Sequence, residues 1–528
     1  MIEDGGRLIE RSWVEGGLAG MVFAAARAHP AAAALTCGDE RLDYRGYAAA
    51  VERLATELRD RLPAGSRVLT VLGNSIDACI AHFAVLAAGA QLVPVNPLYT
   101  SRELAYLLAD AAPAGVIADA ALRERLAPLL RAAAIGWTIW VGPQDRRLFA
   151  DGDIAATAGS NPASPISPDT LALLQYTGGT SGHPKGVKLT HGALLANVAQ
   201  REAMLPTRDR PAQRILCVMP LFHSYAIAMG LYLAAHCAGE LVILPAYRRE
   251  ELFDLVERHR ITIFPGSPTV YVGLMEHPRF AAVDWSSVHT CYSGASALPA
   301  AVLQRWQQAV GVPILEGYGQ TEAGPVLTYN GPALPVKAGS VGLPLAATEV
   351  QVVDVDTGSR VLPRGERGEI RARGPQIMQG YRNLPEASAD ALRDGWLYTG
   401  DVGEFDDDGY LYIRDRKKDL VIVGGYNVYP REVEEVLSWH PDVVEVAVVG
   451  APDAYRGELV HAFVVLRTPD AVDAPALARY CSDKLARYKV PAAFHLVDGL
   501  PKTGANKLDK KVLKERLSAA ATTPGREP

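Results

Sequence analysis

Gln175-Tyr-Thr-Gly-Gly-Thr-Ser-Gly-His-Pro-Lys-Gly-Val-Lys-Leu-Thr-His191 follows directly on an apolar run, Leu171–Leu174, that reads as a strand. The stretch sets Gly178, Gly179, Gly182 and Gly186 among Thr177, Thr180, Ser181 and Lys185. Glycines let a backbone approach a ligand closely and turn successive N–H groups toward one anion. Hydroxyls add donors and an oxygen for a metal, and a lysine adds a mobile positive charge. The composition suits a polyphosphate, and equally a Gly/Ser/Thr connector on a surface. Spacing removes two phosphate motifs. A Walker loop needs Gly, four residues and then Gly-Lys-Ser/Thr, which neither Gly178 nor Gly179 begins. The GxGxxG spacing of dinucleotide sites is absent as well.

Outward from this stretch, the bulk numbers set limits. A single core stops growing near about 250–300 residues, so 528 residues imply two or more domains. A net charge of −6 offers no polybasic footprint, which argues against nucleic acid as a partner. The cysteines Cys37, Cys79, Cys217, Cys237, Cys291 and Cys481 form no CxxC pair, as expected of reduced thiols in a cytoplasmic protein. The acidic start, MIEDGGRLIE, lacks the basic and apolar regions of a signal peptide. Ile215 to Gly239 contains no Asp, Glu, Lys or Arg and is long enough to span a bilayer. Pro220, His223, Ser224, Tyr225, Tyr232 and His236 within it favour pieces instead: a strand Ile215–Met219, a buried helix Ser224–Cys237 and a strand Leu241–Leu244. No transmembrane span is expected.

Before residue 170 the pattern alternates. Helices are expected at Tyr44–Arg61, Asp77–Ala88 and Arg102–Ala112, the last with Ser101 as N-cap. Strands are expected at Val68–Leu72 and Leu92–Val95, and a loop from Asp153 to Asp169. Such alternation implies doubly wound, mixed or parallel sheets. A helix at Ala193–Met204 continues the rhythm to about residue 330. Between Ser340 and Arg414 short β-like pieces (Glu349–Asp354, Gly368–Arg373, Leu411–Arg414) suggest a small β-barrel or sheet-rich subdomain. Beyond Asp419 come strands Leu420–Val423, Val444–Gly450 and Val460–Leu466, with helices Pro430–Trp439 and Ala474–Ala486, the second capped by Asp473. The tail Ser518–Pro528 reads as disordered. The expected domains are residues 1–414 and a small mobile α+β domain of residues 419–528.

Thr177-Gly-Gly-Thr-Ser-Gly-His-Pro-Lys-Gly186 resembles the phosphate-loop signature of the adenylate-forming superfamily: acyl-CoA synthetases, adenylation domains of peptide synthetases, and luciferases. Further segments resemble its other motifs, in family order over residues 170–515. Glu316-Gly-Tyr-Gly-Gln-Thr-Glu322 is similar to GYGxTE. The resemblance implies that Glu316, Gly317, Tyr318 and Gly319 flank adenine, that Thr321 bonds the α-phosphate, and that Glu322 with Thr180 holds Mg²⁺, a cation that takes oxygen ligands. Tyr292-Ser-Gly-Ala-Ser-Ala-Leu298 resembles SGGAPL, so Gly294, Ala295 and Ser296 are expected at the adenine, Ala295 standing where a glycine is usual. Gly395-Trp-Leu-Tyr-Thr-Gly-Asp401 and Arg414-Asp-Arg-Lys-Lys-Asp419 imply Asp401 and Arg416 at the ribose, and a hinge over residues 415–418 with Lys418 at its pivot. Val423-Gly-Gly-Tyr-Asn-Val-Tyr-Pro430 implies Gly424 and Gly425 on the CoA thiol path. Leu500-Pro-Lys-Thr-Gly-Ala-Asn-Lys507 is similar to the loop of the catalytic lysine, here Lys507, with Asn506 in place of glycine. Pro220-Leu-Phe-His223 resembles the segment whose histidine lies beside the acid. Read by themselves, these segments also describe a packing histidine, a strand-to-helix turn, a solvated linker and a solvated lysine face.

The resemblance implies an ATP-dependent acyl-CoA synthetase, with Mg²⁺ as cofactor and CoA as acceptor. It would activate a medium- to long-chain fatty acid through an acyl-adenylate and release AMP and pyrophosphate. An acyl pocket is expected at Tyr225, Ala226, Met229, Gly230, Gly266, Ala323 and Gly324. An aryl- or cyclic-carboxylate CoA ligase and an acyl-AMP ligase loading a carrier protein are the alternatives. Besides the small molecules, a carrier protein, a peripheral membrane contact and a homodimer stay open as partners.

Overall fold

Parallel strands buried on both faces need helices on each side, and the chain supplies the two in alternation. The computed structural model describes residues 15–63, 65–149, 166–177, 184–208, 212–417, 419–423, 426–453, 455–469, 471–503 and 508–522. One six-stranded sheet runs, in spatial order, Trp137–Val141, Gly115–Asp119, Arg67–Val71, Gln91–Pro94, Leu171–Thr177 and Lys185–Thr190. It is parallel except for its last pair. A nine-stranded sheet runs Leu343–Pro344, Thr328–Tyr329, Ile314–Tyr318, Thr290–Ser293, Ile263–Gly266, Arg214–Cys217, Glu240–Ile243, Ala33–Cys37 and Glu40–Asp43. Its interior pairs are parallel, and its short outer strands are antiparallel. The helix Ile76–Ala87 is buried along its whole length and touches strands of both sheets. That explains why its sequence is apolar on every side.

The expected small β-rich unit is a five-stranded antiparallel sheet, ordered Glu349–Val353, Gly368–Arg373, Trp396–Phe405. Leu392–Arg393 and Leu411–Arg416 both pair with the long strand Trp396–Phe405. The C-terminal α/β unit has a sheet of Tyr426–Val428, Val421–Val423, Gly457–Leu466 and Val443–Asp453, with Ala493–Leu496 parallel to Gly457–Leu466. Its own core gathers Val421, Val433, Leu437, Val448, Val460, Ala462, Leu477 and Cys481. Across to the larger part, Glu435 Oε1 accepts from Ala300 N at 3.0 Å, at the start of the helix Ala300–Val310, and Arg467 pairs with Glu276.

Three local expectations change. The N-cap of the helix Ser101–Ala111 is Thr100, because Thr100 and Glu103 exchange side-chain and backbone hydrogen bonds in a reciprocal capping box. The helix expected at Ser224–Cys237 contains a π-helical turn at Ile227–Tyr232. The first part of the tail expected to be disordered, Ser518–Thr522, continues the helix Lys510–Thr522, since Leu513 is fully buried and Leu517 joins it against Ala447, Val449 and Phe463; residues 523–528 lie outside the described residues. Most of the expected 153–169 loop lies outside the described residues. Ile215–Gly239 resolves into the expected pieces, and no described helix is long and apolar enough to cross a membrane.

Candidate active site

In a doubly wound sheet, ligand crevices lie beyond the carboxyl ends of the parallel strands. The parallel strands Arg214–Cys217, Thr290–Ser293 and Ile314–Tyr318, the first two separated by Ile263–Gly266, run in one direction here, and the segments bearing His223, Gly294 and Thr321 leave from those ends. The opening stretch belongs to the other sheet. Leu171–Thr177 pairs antiparallel with Lys185–Thr190, and Thr177 faces Lys185 at the last rung. Gly178, Gly179, Thr180, Ser181 and Gly182 lie outside the described residues. Gln175 joins the two sheets by donating from Nε2 to the Phe222 carbonyl at 3.0 Å. Tyr106 OH donates to the Pro184 carbonyl at 3.2 Å, and Tyr176 OH to Asp110 Oδ2 at 2.5 Å.

One side chain that motif reading passed over links the expected anion and metal groups. Tyr381 OH donates to Glu322 Oε1 at 2.9 Å, and Lys185 Nζ sits 5.0 Å from the centroid of the Tyr381 ring. The backbone of 379–382 bonds along Lys185–Thr190, through Lys188 N to Gly380 O at 3.1 Å and Arg382 N to Gly186 O at 2.7 Å. That pairing carries Tyr381 to the site from about sixty positions beyond Glu322 in the chain. Burial, and then the Glu322 carboxylate, push the phenol upward, so it stays a donor across ordinary pH. Thr321 is buried, with its hydroxyl 3.1 Å from Ser224 Oγ. The neighbouring His223 caps the start of Ser224–Ala226, its Nδ1 accepting from Tyr225 N at 3.2 Å.

Asp401 and Arg416 face each other across the antiparallel strands Trp396–Phe405 and Leu411–Arg416, with Arg416 Nε 3.3 Å from Asp401 Oδ1. Tyr318 OH donates to Asp401 Oδ2 at 2.7 Å. The expected ribose pair and the expected adenine tyrosine are thus one cluster, and the Asp401 carboxylate raises the Arg416 pKa. Asp415, on the same strand, accepts from Arg416 N at 2.7 Å and Arg431 N at 3.1 Å; burial lifts its carboxyl to about 6. Lys418, Gly424, Gly425 and Lys507 lie outside the described residues.

Gly317 lacks a Cβ where the Tyr329 ring packs, and Gly294 where the Tyr225 ring packs. The latter contact joins the expected adenine segment to the expected acyl pocket. Ala295 has φ +71°, in the left-handed region where an alanine is strained by about 1–2 kcal/mol. This accounts for glycine being usual there. Ala295→Gly is expected to stabilise the fold by about 0.5–1 kcal/mol, since relief of strain exceeds the added chain entropy. Thermal unfolding would check it, and a lower melting temperature would count against the conformation.

Glu316 turns into the protein. It is 4% exposed, and its Oε1 accepts from Leu298 N at 2.9 Å, tying its strand to the 293–298 segment. Burial lifts its pKa from 4.5 to about 7. Across that window the unfolded chain has released a proton that the folded chain keeps. Stability therefore falls as pH rises through it and levels off above. Glu316→Gln keeps the acceptor without the charge. It is expected to gain up to about 3 kcal/mol over the parent above pH 7 and nothing below pH 4.5. Denaturant unfolding across this pH range reads the difference, and a constant difference would contradict the assignment.

Of the expected acyl-pocket residues, Met229 and Gly324 line a cavity of about 10 Å³ with Leu194, Asn197, Val198, Arg201, Ala228, Tyr232 and Val326. Tyr225, Ala226, Gly230, Gly266 and Ala323 are buried but do not line it. The helix His191–Met204 contributes Leu194, Asn197, Val198 and Arg201, a helical i, i+3, i+4, i+7 stripe. Two polar residues in such a stripe are a signal that motif reading leaves unused.

Residues 22–382 match the family model for AMP-binding enzymes, and residues 432–507 the model for the AMP-binding enzyme C-terminal domain. A long-chain-fatty-acid–CoA ligase of Bacillus subtilis (strain 168) is 38% identical over 482 residues, 86% of either chain. A feruloyl-CoA synthase of an Amycolatopsis species is 35% identical, covering 93% of this chain and 97% of its own. The ATP-bound crystal structure of MatB from Rhodopseudomonas palustris superposes with a TM-score of 0.86 at 32% identity, covering 95% of this chain and 99% of that one. With strand ends, anion-site side chains and two family models in agreement, the chain belongs to the AMP-binding enzymes of the adenylate-forming superfamily.

Proposed function

We propose that this AMP-forming acyl-CoA synthetase activates a medium- to long-chain fatty acid with ATP and passes the acyl group to CoA. The supporting observation is an unbroken run of contacts: Arg416 to Asp401, Asp401 to Tyr318, then along the 318–322 turn to Thr321 with Ser224 and to Glu322 with Tyr381 and Lys185. Nucleoside, phosphate and acid groups can be held side by side along it. In this reading the carboxylate attacks the α-phosphorus of ATP in line and expels pyrophosphate, giving a mixed anhydride. The CoA thiol then attacks the acyl carbon and AMP leaves. Little covalent chemistry falls to the protein, so positioning and charge stabilisation carry the rate.

Lys185 and the 177–182 loop bind the leaving pyrophosphate. Thr321, fixed by Ser224, donates to the α-phosphate. His223 stands at the acid, Asp401 and Arg416 at the ribose. Lys507 bridges the carboxylate and α-phosphate, Lys418 is the pivot, and Gly424 and Gly425 line the thiol path. Among the described residues no group of three or more His, Cys, Asp or Glu could hold a metal ion, so a divalent cation here would draw most ligands from phosphate. The Glu322 carboxylate, oriented by Tyr381, fits such a share. Glu322 and Thr180 would hold Mg²⁺, whose charge when bound offsets that of the phosphates.

The B. subtilis relative supports the aliphatic acid, as does Gly425-Tyr-Asn-Val-Tyr-Pro430, which resembles the GFNVYP-like segment of fatty-acyl-CoA synthetases. An aryl acid is the second reading, favoured by the small, partly polar cavity beside Met229 and by the feruloyl-CoA synthase relative. Acid-dependent pyrophosphate release over straight-chain acids from octanoate to palmitate, with cinnamates alongside, tests the choice. The straight-chain acids are expected to give the higher kcat/KM, and turnover confined to the cinnamates would reject the aliphatic reading.

A further inference from the structure

We propose that Arg201 and Tyr232 form a polar floor to the acid pocket and select acids carrying a hydrogen-bond-accepting oxygen at the end remote from the carboxylate. The inference rests on the acyl-CoA synthetase reading and adds the far end of the substrate to it. Arg201 is 2% exposed; Nη1 donates to the Leu205 carbonyl at 3.5 Å and Nη2 pairs with Glu202 Oε2 at 3.1 Å, while Nε has no partner. Glu202 also takes Thr207 N, Thr207 Oγ1 and Arg208 N, so the guanidinium is gripped on one side. Tyr232 is 1% exposed, its ring packs on Phe83, and its hydroxyl has no partner either. Both side chains line the same 10 Å³ cavity, together with Met229 and Gly324.

The cavity shares Met229 and Gly324 with the expected acyl pocket. Gly324 ends the turn that carries Thr321 and Glu322, and Met229 and Tyr232 follow His223 on one helical segment. At α-helical rise Tyr232 would stand about 13 Å along from His223, an upper bound because of the π-helical turn, and about the length of a medium-chain acid. The space is about that of one water, and in this proposal the end of the acid takes that place, with the unbranched Met229 yielding. A hydrocarbon end would leave both buried donors without acceptors. A hydroxyl, ether or carbonyl oxygen can accept from both. Sites built around such donors reject the analogue that lacks the acceptor much more strongly than an apolar pocket rejects a missing methylene.

The test uses matched acids with the full-length enzyme: cinnamate against p-coumarate, and decanoate against ω-hydroxydecanoate, each scored by kcat/KM for pyrophosphate release. The oxygenated member of at least one pair is expected to lead by about tenfold or more, and the pair that responds identifies a ring or a chain as its carrier. Tyr232→Phe removes only the unpartnered hydroxyl, and Arg201→Gln removes the guanidinium. Each is expected to bring that ratio toward one, chiefly through KM, an effect that a merely structural loss does not produce. No lead in either pair, or a lead unchanged in both variants, overturns the proposal while leaving the reaction standing. Absence of turnover with all four acids overturns the fatty- or aryl-acid reading and this inference together.

Discussion

Lys507→Ala is expected to lower acid-dependent pyrophosphate release by at least about a hundredfold, the usual cost of deleting one preorganised charge-stabilising donor in a transfer reaction. Thioester formation from supplied acyl-adenylate and CoA should stay within about threefold of the parent, because breakdown of the anhydride expels AMP without pyrophosphate leaving again. The split follows from the proposed reaction order: the lysine bridges carboxylate and α-phosphate only while that bond is being made. Single-turnover assays of the two halves, run separately, read it directly. Equal loss in both would assign Lys507 to nucleotide binding in general. The C-terminal unit also holds Glu435 on Ala300 N and Arg467 on Glu276 in the described arrangement. The domain rotation proposed for the second half would break contacts of this kind, so Glu435→Ala is a natural companion variant for it.

Gly319→Ala is expected to be nearly as damaging, for a steric reason. A Cβ at Gly319 would lie far inside van der Waals contact of the Pro325 carbonyl oxygen and close to Val326 Cα. Both are backbone atoms, which cannot swing aside as a side-chain tip can. Overpacking of this kind costs about 1–3 kcal/mol and often more where the backbone must move. The displaced segment is the 319–326 turn that carries Thr321 and Glu322, so loss of ATP-dependent activity should exceed the loss of stability. Differential scanning calorimetry with an ATP titration separates the two effects. A variant with unchanged ATP affinity would show that the turn adapts elsewhere. Gly230, whose added Cβ would meet only Leu241 Cδ1 at 3.7 Å, is the matched control with a roughly neutral packing effect.

Much of the architecture was legible because it is written in local patterns. Tyr44–Arg61 forms the expected helix, capped by Asp43, because its buried positions recur at helical spacing within one contiguous run. Gly368–Arg373 forms the expected strand for the corresponding reason. The departures mark where competition between neighbours decides. Thr100 displaces Ser101 as cap because Glu103 is spaced for the reciprocal bond from Thr100 alone. The tail helix continues through Ser518 because Leu513 and Leu517 find a distant apolar face on Ala447, Val449 and Phe463. Composition alone cannot reveal that face.

The same division runs through the candidate site. The sequence by itself determined the family, because the phosphate stretch, the 316–322 turn and the 395–401 segment are contiguous and carry their chemistry in residue type and spacing. It could not show that Tyr381 lies between Lys185 and Glu322, that Tyr318 bonds Asp401, or that Glu316 turns inward to Leu298 N. Those contacts join residues from different strands and sheets, and only closure of the chain sets their distances. The floor formed by Arg201 and Tyr232 is of the same kind. Each reads as an ordinary residue of its own helix, and the shared cavity arises only when the two helices pack against the 324–326 turn. Reaction chemistry is local enough to be read along the chain, whereas selection of the acid depends on side chains that meet only after folding.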